Sequence, residues 1–113
     1  MDMDSATQND PLAFIQECVS QRKIFWTYHV NMRMKERFIP RHYILDSVNF
    51  FEIIETYPDD KYFPSYLVYS QFKSHVFHIL FAVDWEGENV RVITAYFPRS
   101  EDWQVDLKTR RIP

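Results

Sequence analysis

Apolar positions along the chain recur first at helical and then at strand spacing, and the change falls near Asn49. Leu12, Ile15 and Val19, with Phe14 and Cys18, repeat every three or four residues. This predicts a helix from Pro11 to about Gln21, with Asp10 as its cap and Pro11 in its first turn. Lys23 to Trp26 reads as a short link. Thr27 then caps a second helix from Tyr28 to Phe38, which Pro40 brings to an end by disfavouring helical geometry at Ile39. A third helix, Arg41 to Val48, would bury Tyr43, Ile44 and Val48.

Beyond Asn49, four runs alternate as strands: Phe50 to Tyr57, Ser65 to Phe72, His75 to Asp84 and Asn89 to Phe97. Tyr57-Pro58-Asp59-Asp60-Lys61 and Asp84-Trp85-Glu86-Gly87-Glu88 supply turn chemistry between them. The third run is apolar on both alternating faces, with Phe77, Ile79, Phe81 and Val83 on one and Val76, Leu80 and Ala82 on the other. That marks a central strand covered on both sides. In the fourth, Val90, Val92, Thr94 and Tyr96 share one face, and Arg91, Ile93, Ala95 and Phe97 the other. Ser100 opens a short acidic helix with Trp103 and Leu107 four apart. The predicted fold is α+β: N-terminal helices packed on one face of a four-stranded antiparallel sheet, with a short C-terminal helix. Residues 1–9 read as a disordered lead-in to a single domain over 10–113.

Composition supports this picture. Hydrophobic residues make up 46% of the 113 and aromatics 18%, enough to build a core. The single cysteine, Cys18, rules out a disulfide framework within one chain and reads as a core thiol, which suits a cytoplasmic setting. The polar N-terminus lacks the pattern of a signal peptide, and no apolar run approaches membrane-spanning length. Net charge is −3, but the charge is unevenly placed. Between Arg22 and Ile44 stand Arg22, Lys23, Arg33, Lys35, Arg37 and Arg41 against one acid, Glu36. A basic surface of this kind on an acidic protein permits phosphate binding.

Within the second helix, His29, Arg33 and Arg37 fall four residues apart and stack as one polar stripe between apolar flanks. Metal-free RNA cleavage needs a group to take the 2′-hydroxyl proton, cations for the phosphorane charge and an acid for the leaving oxygen. A histidine, titrating near neutrality, suits the first or last role, so His29 is a candidate; it could equally serve only to cap the helix start. Arg33 and Arg37 could clamp a phosphate, or lie on a solvated face, or bridge to Glu52 or Glu55. Glu36 reads as a structural partner for an arginine. Tyr96 could donate a proton or stack a base, or simply pack. Thr94 shares its face. Arg110 and Arg111 could reach phosphates, or belong to a frayed basic tail. His75 and His78, three apart on a strand, point to opposite faces and so read as structural rather than as a metal pair. His42 reads as an exposed helix residue. No metal site and no cofactor is predicted.

The run His29-x-x-x-Arg33-Met34-x-Glu36-Arg37, with Val90-Arg91-Val92-Ile93-Thr94-Ala95-Tyr96-Phe97-Pro98 and the terminal Asp102-Trp103-x-x-Asp106-Leu107-Lys108-Thr109-Arg110-Arg111, resembles a domain of unknown function related to RelE/ParE-type toxins. Those share the small α+β fold of barnase, EndoU, colicins and RelE. They are often encoded beside antitoxins with a YgiT/MqsA-type zinc finger. The resemblance spans about Trp26 to Arg111. It implies a metal-independent ribonuclease, of the mRNA-cleaving toxin type, for which side-chain chemistry offers His29, Arg33, Arg37 and Tyr96 as the catalytic residues. Thr94, Arg110 and Arg111 would then contact phosphate, with RNA as substrate and an antitoxin as partner. The alternatives are a non-enzymatic toxin that binds a target protein, as ParE-like relatives do, and a plain interaction module.

Overall fold

The computed structural model describes residues 10–112. The expected lead-in, residues 1–9, lies outside them. Helix α1 (Pro11–Ser20) begins where Asp10 accepts a hydrogen bond from the Ala13 amide at 3.1 Å, and it buries Phe14, Ile15, Cys18 and Val19. Strand β1 (Ile24–Trp26) follows. Helix α2 (Tyr28–Glu36) is capped by Thr27, whose hydroxyl accepts from the Val30 amide at 3.0 Å. A short helix α3 (Arg41–Leu45) and a 3-10 turn (Val48–Phe50) lead to β2 (Glu52–Tyr57), β3 (Ser65–Phe72), β4 (His75–Asp84) and β5 (Asn89–Tyr96).

The sheet has five strands in the order β1-β5-β4-β3-β2. β2 to β5 form an antiparallel meander, and β4 is central, as its two apolar faces predict. The expectation of four antiparallel strands needs one correction. Ile24-Phe25-Trp26 is no link but an edge strand, parallel to β5, with Ile24 opposite Val90 and Trp26 opposite Val92. The sheet is therefore mixed. Three residues are too few to show alternation, so the neighbouring strand decides their conformation. The third helix is also shorter than expected: it stops at Leu45, and Val48 opens a separate 3-10 turn.

The expected C-terminal helix is a tight reversal instead. Trp103 bridges to Arg110, Gln104 N donates to Thr109 O at 2.8 Å, and Arg111 N donates to Asp102 O at 3.0 Å. Asp106 accepts from the Lys108 and Thr109 amides at 2.9 and 3.0 Å, while Leu107 takes a left-handed φ of 59°. An aspartate that folds its own backbone outcompetes the helix here.

The helices cover one sheet face, packing over Phe77, Ile79, Phe81, Val83, Val68, Val90, Val92 and Ala95. The terminal reversal lies on the other face, where Trp103 is 2% exposed. The sheet thus separates a thick helical layer from a thin, partial cover, and the partly covered face holds the candidate site.

Candidate functional site

Two β-bulges aim the side chains of this site. On β5, Val92 opposes Phe81 and Thr94 opposes Leu80, so Ile93 is the extra residue. The insertion reverses the alternation, and it is Ala95, not Thr94, that continues the buried row of Val90 and Val92. Thr94 and Tyr96 move to the partly covered face with Arg91, a correction to the face assignment read from strict alternation. On β2, Glu52 opposes Tyr69 and Glu55 opposes Leu67, leaving Ile54 extra. Glu52 and Glu55, three apart, would otherwise point to opposite faces; the bulge brings both under the terminal reversal.

There they meet its cations. Arg110 grips Glu55 through Nε at 2.6 Å and Nη2 at 3.1 Å, with its guanidinium 4.6 Å above the Trp103 ring. Tyr57 donates its hydroxyl to the same carboxylate. Burial pushes the Glu55 carboxyl up, but the bonds from Arg110 and Tyr57 outweigh it and leave the group below its ordinary range. The bond to Glu55 raises Arg110 further above its already high value. Lys108 reaches Glu52 at 3.1 Å and stands 4.7 Å over the Tyr69 ring. The tail is therefore docked rather than frayed, and it is Lys108 and Arg110 that bridge the carboxylates on β2, not Arg33 or Arg37.

Arg37 arrives from the other side. It follows the last turn of α2, beside the stretch of β5 that β1 is too short to pair. Its Nη1 donates to Ala95 O at 2.9 Å and to Thr94 Oγ1 at 3.2 Å, closing that open edge. Tyr96 and Arg110 line two adjoining cavities. One, of about 480 Å³, also has Arg37, Arg99, Asp102 and Trp103 in its walls; the other, of about 270 Å³, has Tyr57, Asp60, Thr94 and Leu80. Burial pushes the Tyr96 phenol up to about 12, so it stays protonated. Behind it, directly across on β4, lies His78 with 0% exposure. Its Nδ1 is 3.2 Å from Tyr96 Oη and its Nε2 is 2.7 Å from Leu107 O, and Trp103 stands edge-on to the ring at 4.5 Å.

The structure thus brings together Arg37, Thr94, Tyr96 and Arg110. His29 is exposed and lines a separate cavity of about 720 Å³, with Tyr62, Phe63, Arg91 and Ile93. Asp60 borders both this cavity and the smaller one beside Tyr96. Arg33 is solvent-facing, loosely paired with Glu36 at 3.9 Å. Arg111 donates to Ser100 O at 2.6 Å and braces the terminal reversal away from the cavity that Arg110 lines. Sequence reasoning missed the roles of Glu55, Tyr57 and Trp103. It read His78 as structural without its bond to Tyr96; a histidine in the most apolar strand was the available signal.

A family model described as Domain of unknown function (DUF4258) matches residues 26–97. The chain belongs to this family. The match runs from β1 to the end of β5, so Arg37, Glu55, His78, Thr94 and Tyr96 fall inside it. Trp103 and Arg110, on the terminal reversal, fall outside it. No curated protein and no solved structure matches the chain significantly. Among the described residues, no three His, Cys, Asp or Glu side chains are grouped to hold a metal ion, and no helix is long and apolar enough to cross a membrane.

Proposed function

We propose that this chain is a metal-independent endoribonuclease centred on Tyr96, acting as the toxin of a toxin–antitoxin pair as its resemblance to RelE/ParE-type toxins implies. The observation that carries the reading is the shared wall of one cleft: the guanidiniums of Arg37 and Arg110, with Arg99 neutralised by Asp102, beside a half-buried phenol. Attack of a ribose 2′-hydroxyl on the adjacent phosphate concentrates negative charge on the phosphorane oxygens. Guanidiniums held by Ala95 O and Glu55 are oriented before the substrate arrives and answer that charge without reorganising. Arg110 uses only Nε and Nη2 for Glu55, which leaves Nη1 for phosphate. Thr94 adds a hydroxyl at the same edge. Tyr96 handles the proton. His29, with Arg91 and Phe63, lines the larger cavity that takes the neighbouring base, while Arg33 and Arg111 lie outside the contact.

The test is cleavage of a single-stranded RNA in EDTA, with and without ribosomes. Tyr96→Phe and Arg37→Lys should each lose about 100-fold or more in rate, with the circular dichroism spectrum unchanged. Products should carry 2′,3′-cyclic phosphate and 5′-hydroxyl ends. Undiminished cleavage by both variants, or wild-type protein inert in both settings, would overturn the reading.

One group of residues favours a second reading, a toxin that inhibits by binding a protein. Phe25, Tyr28 and Phe38 are 56, 81 and 83% exposed in and around α2, and Met32, one turn on from Tyr28, is exposed too. Exposed aromatics of this number suit a protein contact. The antitoxin, of the YgiT/MqsA zinc-finger type, fits the same surface. The two readings separate in growth assays in a bacterial host: inhibition lost in Tyr96→Phe supports the nuclease, while inhibition lost only in Tyr28→Ser and Phe38→Ser supports the binder.

A further inference from the structure

We infer that His78 is a positioning residue which, through Tyr96, receives the proton of the ribose 2′-hydroxyl; this rests on the ribonuclease reading. Leu107 O can only accept, so the 2.7 Å contact requires the proton of the imidazole on Nε2. Burial lowers the affinity of the ring for a second proton, with the Leu107 bond opposing that in part, so the ring is neutral and its Nδ1 is bare. The group facing Nδ1 is the Tyr96 hydroxyl, 3.2 Å away, and it must donate. The phenolic hydrogen therefore points into the protein, and the oxygen lone pairs face the cleft that Arg37 and Arg110 line.

An oxygen so oriented accepts a hydrogen bond from substrate. As O2′ attacks phosphorus, the O2′–H bond breaks and its proton forms a new bond to Tyr96 Oη. The original phenolic proton passes to His78 Nδ1. The P–O5′ bond breaks, and the leaving oxygen takes a proton from water in the cleft. His78 returns its proton through Tyr96 to the hydroxide so formed. The phenol never becomes a free phenolate, which its burial disfavours. The transient imidazolium is held by the Nε2 bond to Leu107 O, with the Trp103 and Tyr96 rings packed at steep angles to it. The other titratable or charged groups around the ring are Tyr69 on β3, Glu55 on β2, and Lys108 and Arg110 on the terminal reversal. Glu55 favours the imidazolium and Arg110 opposes it, and burial remains the largest influence on the ring.

The experiment has two readouts. Nitrogen-15 spectra of the wild-type protein should show His78 protonated on Nε2, with the Nδ1 resonance moving in Tyr96→Phe. Cleavage kinetics should show kcat falling on the acid side as Nδ1 becomes protonated. His78→Gln, which can still donate to Leu107 O, should lose about 100-fold in kcat with KM unchanged and should lose that acid limb. An Nδ1-protonated tautomer, or a His78→Gln variant with wild-type kcat and pH profile, overturns the relay and leaves the ribonuclease reading standing. Wild-type protein that cleaves no RNA overturns both.

Discussion

Burying a histidine against an indole and two tyrosines ties the stability of this fold to acid. The His78 imidazole binds its second proton less readily in the folded protein than in the unfolded chain, whose ordinary value is 6.5. The unfolded state therefore takes up more protons below that value, and stability present above pH 6.5 falls as pH drops through the folded value. Glu55 has the same sign lower down: its folded value lies below 4.5, so its contribution is complete above that and disappears as the carboxylate is protonated. Urea midpoints measured against pH should fall in two stages for the wild type. In His78→Gln the upper stage should vanish and the lower one remain. A second residue-scale outcome concerns Cys18, wholly buried in α1, whose thiol burial pushes up to about 12. It should resist alkylation at pH 8 in native protein and react at once in denaturant, which makes it a probe of opening rather than a redox centre.

At the scale of the element, the chain ends its helices without glycine. Its single glycine, Gly87, lies in the β4–β5 turn. After α2, Ile39 N donates to Met34 O at 2.9 Å and Phe38 N to Lys35 O at 3.2 Å, a Schellman closure with Phe38 in the left-handed position at φ 59°. A side chain there costs about 1 kcal/mol or more, and Phe38 recovers little by packing, being 83% exposed. Phe38→Gly should raise stability by about 0.5 kcal/mol once the added freedom of the unfolded chain is subtracted, as read by urea denaturation. If Phe38 contacts the antitoxin, the same change should weaken that complex, so one substitution would act with opposite signs on the two measurements. The strained residue then belongs to recognition, not to the fold. Elements also show what the sequence alone makes legible. Helices α1 and α2 and strands β3 to β5 follow from spacing, because each buries one face of a long enough repeat. Strand β1 does not, since three residues carry no period and pairing with β5 decides them. The terminal reversal imitates a helix through the Trp103–Leu107 interval, while Asp106 folds the backbone otherwise. The bulges at Ile54 and Ile93 are invisible to alternation. They redirect Glu55, Thr94 and Tyr96, so the residue types of the site were legible in part but their assembly was not.

For the whole molecule, the decisive contrast is between a net charge of −3 and a cleft walled by the fixed guanidiniums of Arg37 and Arg110. Helices pack over one sheet face, so the ribonuclease proposal has RNA lie across the other, beside Arg37 and Arg110. Arg33 and Arg111 are held elsewhere, one by solvent and Glu36, the other by Ser100 O. Counterion release then sets a measurable limit. Each neutralised phosphate of a single strand contributes about −0.7 to the slope of log K against log salt, so two arginines give about −1.4. A footprint that also engaged Arg33 and Arg111 would approach about −2.8 on the same basis. Binding of an RNA blocked by a 2′-deoxy sugar at the cleavage position, titrated with KCl, distinguishes the two. Arg110→Gln should reduce the slope by about 0.7, whereas Arg33→Gln should leave it unchanged. A steep slope insensitive to Arg110 would place the RNA along the outer face of α2 and away from Tyr96. The shallow slope is what an acidic protein needs if it is to hold a strand at two phosphates in a fixed geometry without gathering nucleic acid indiscriminately.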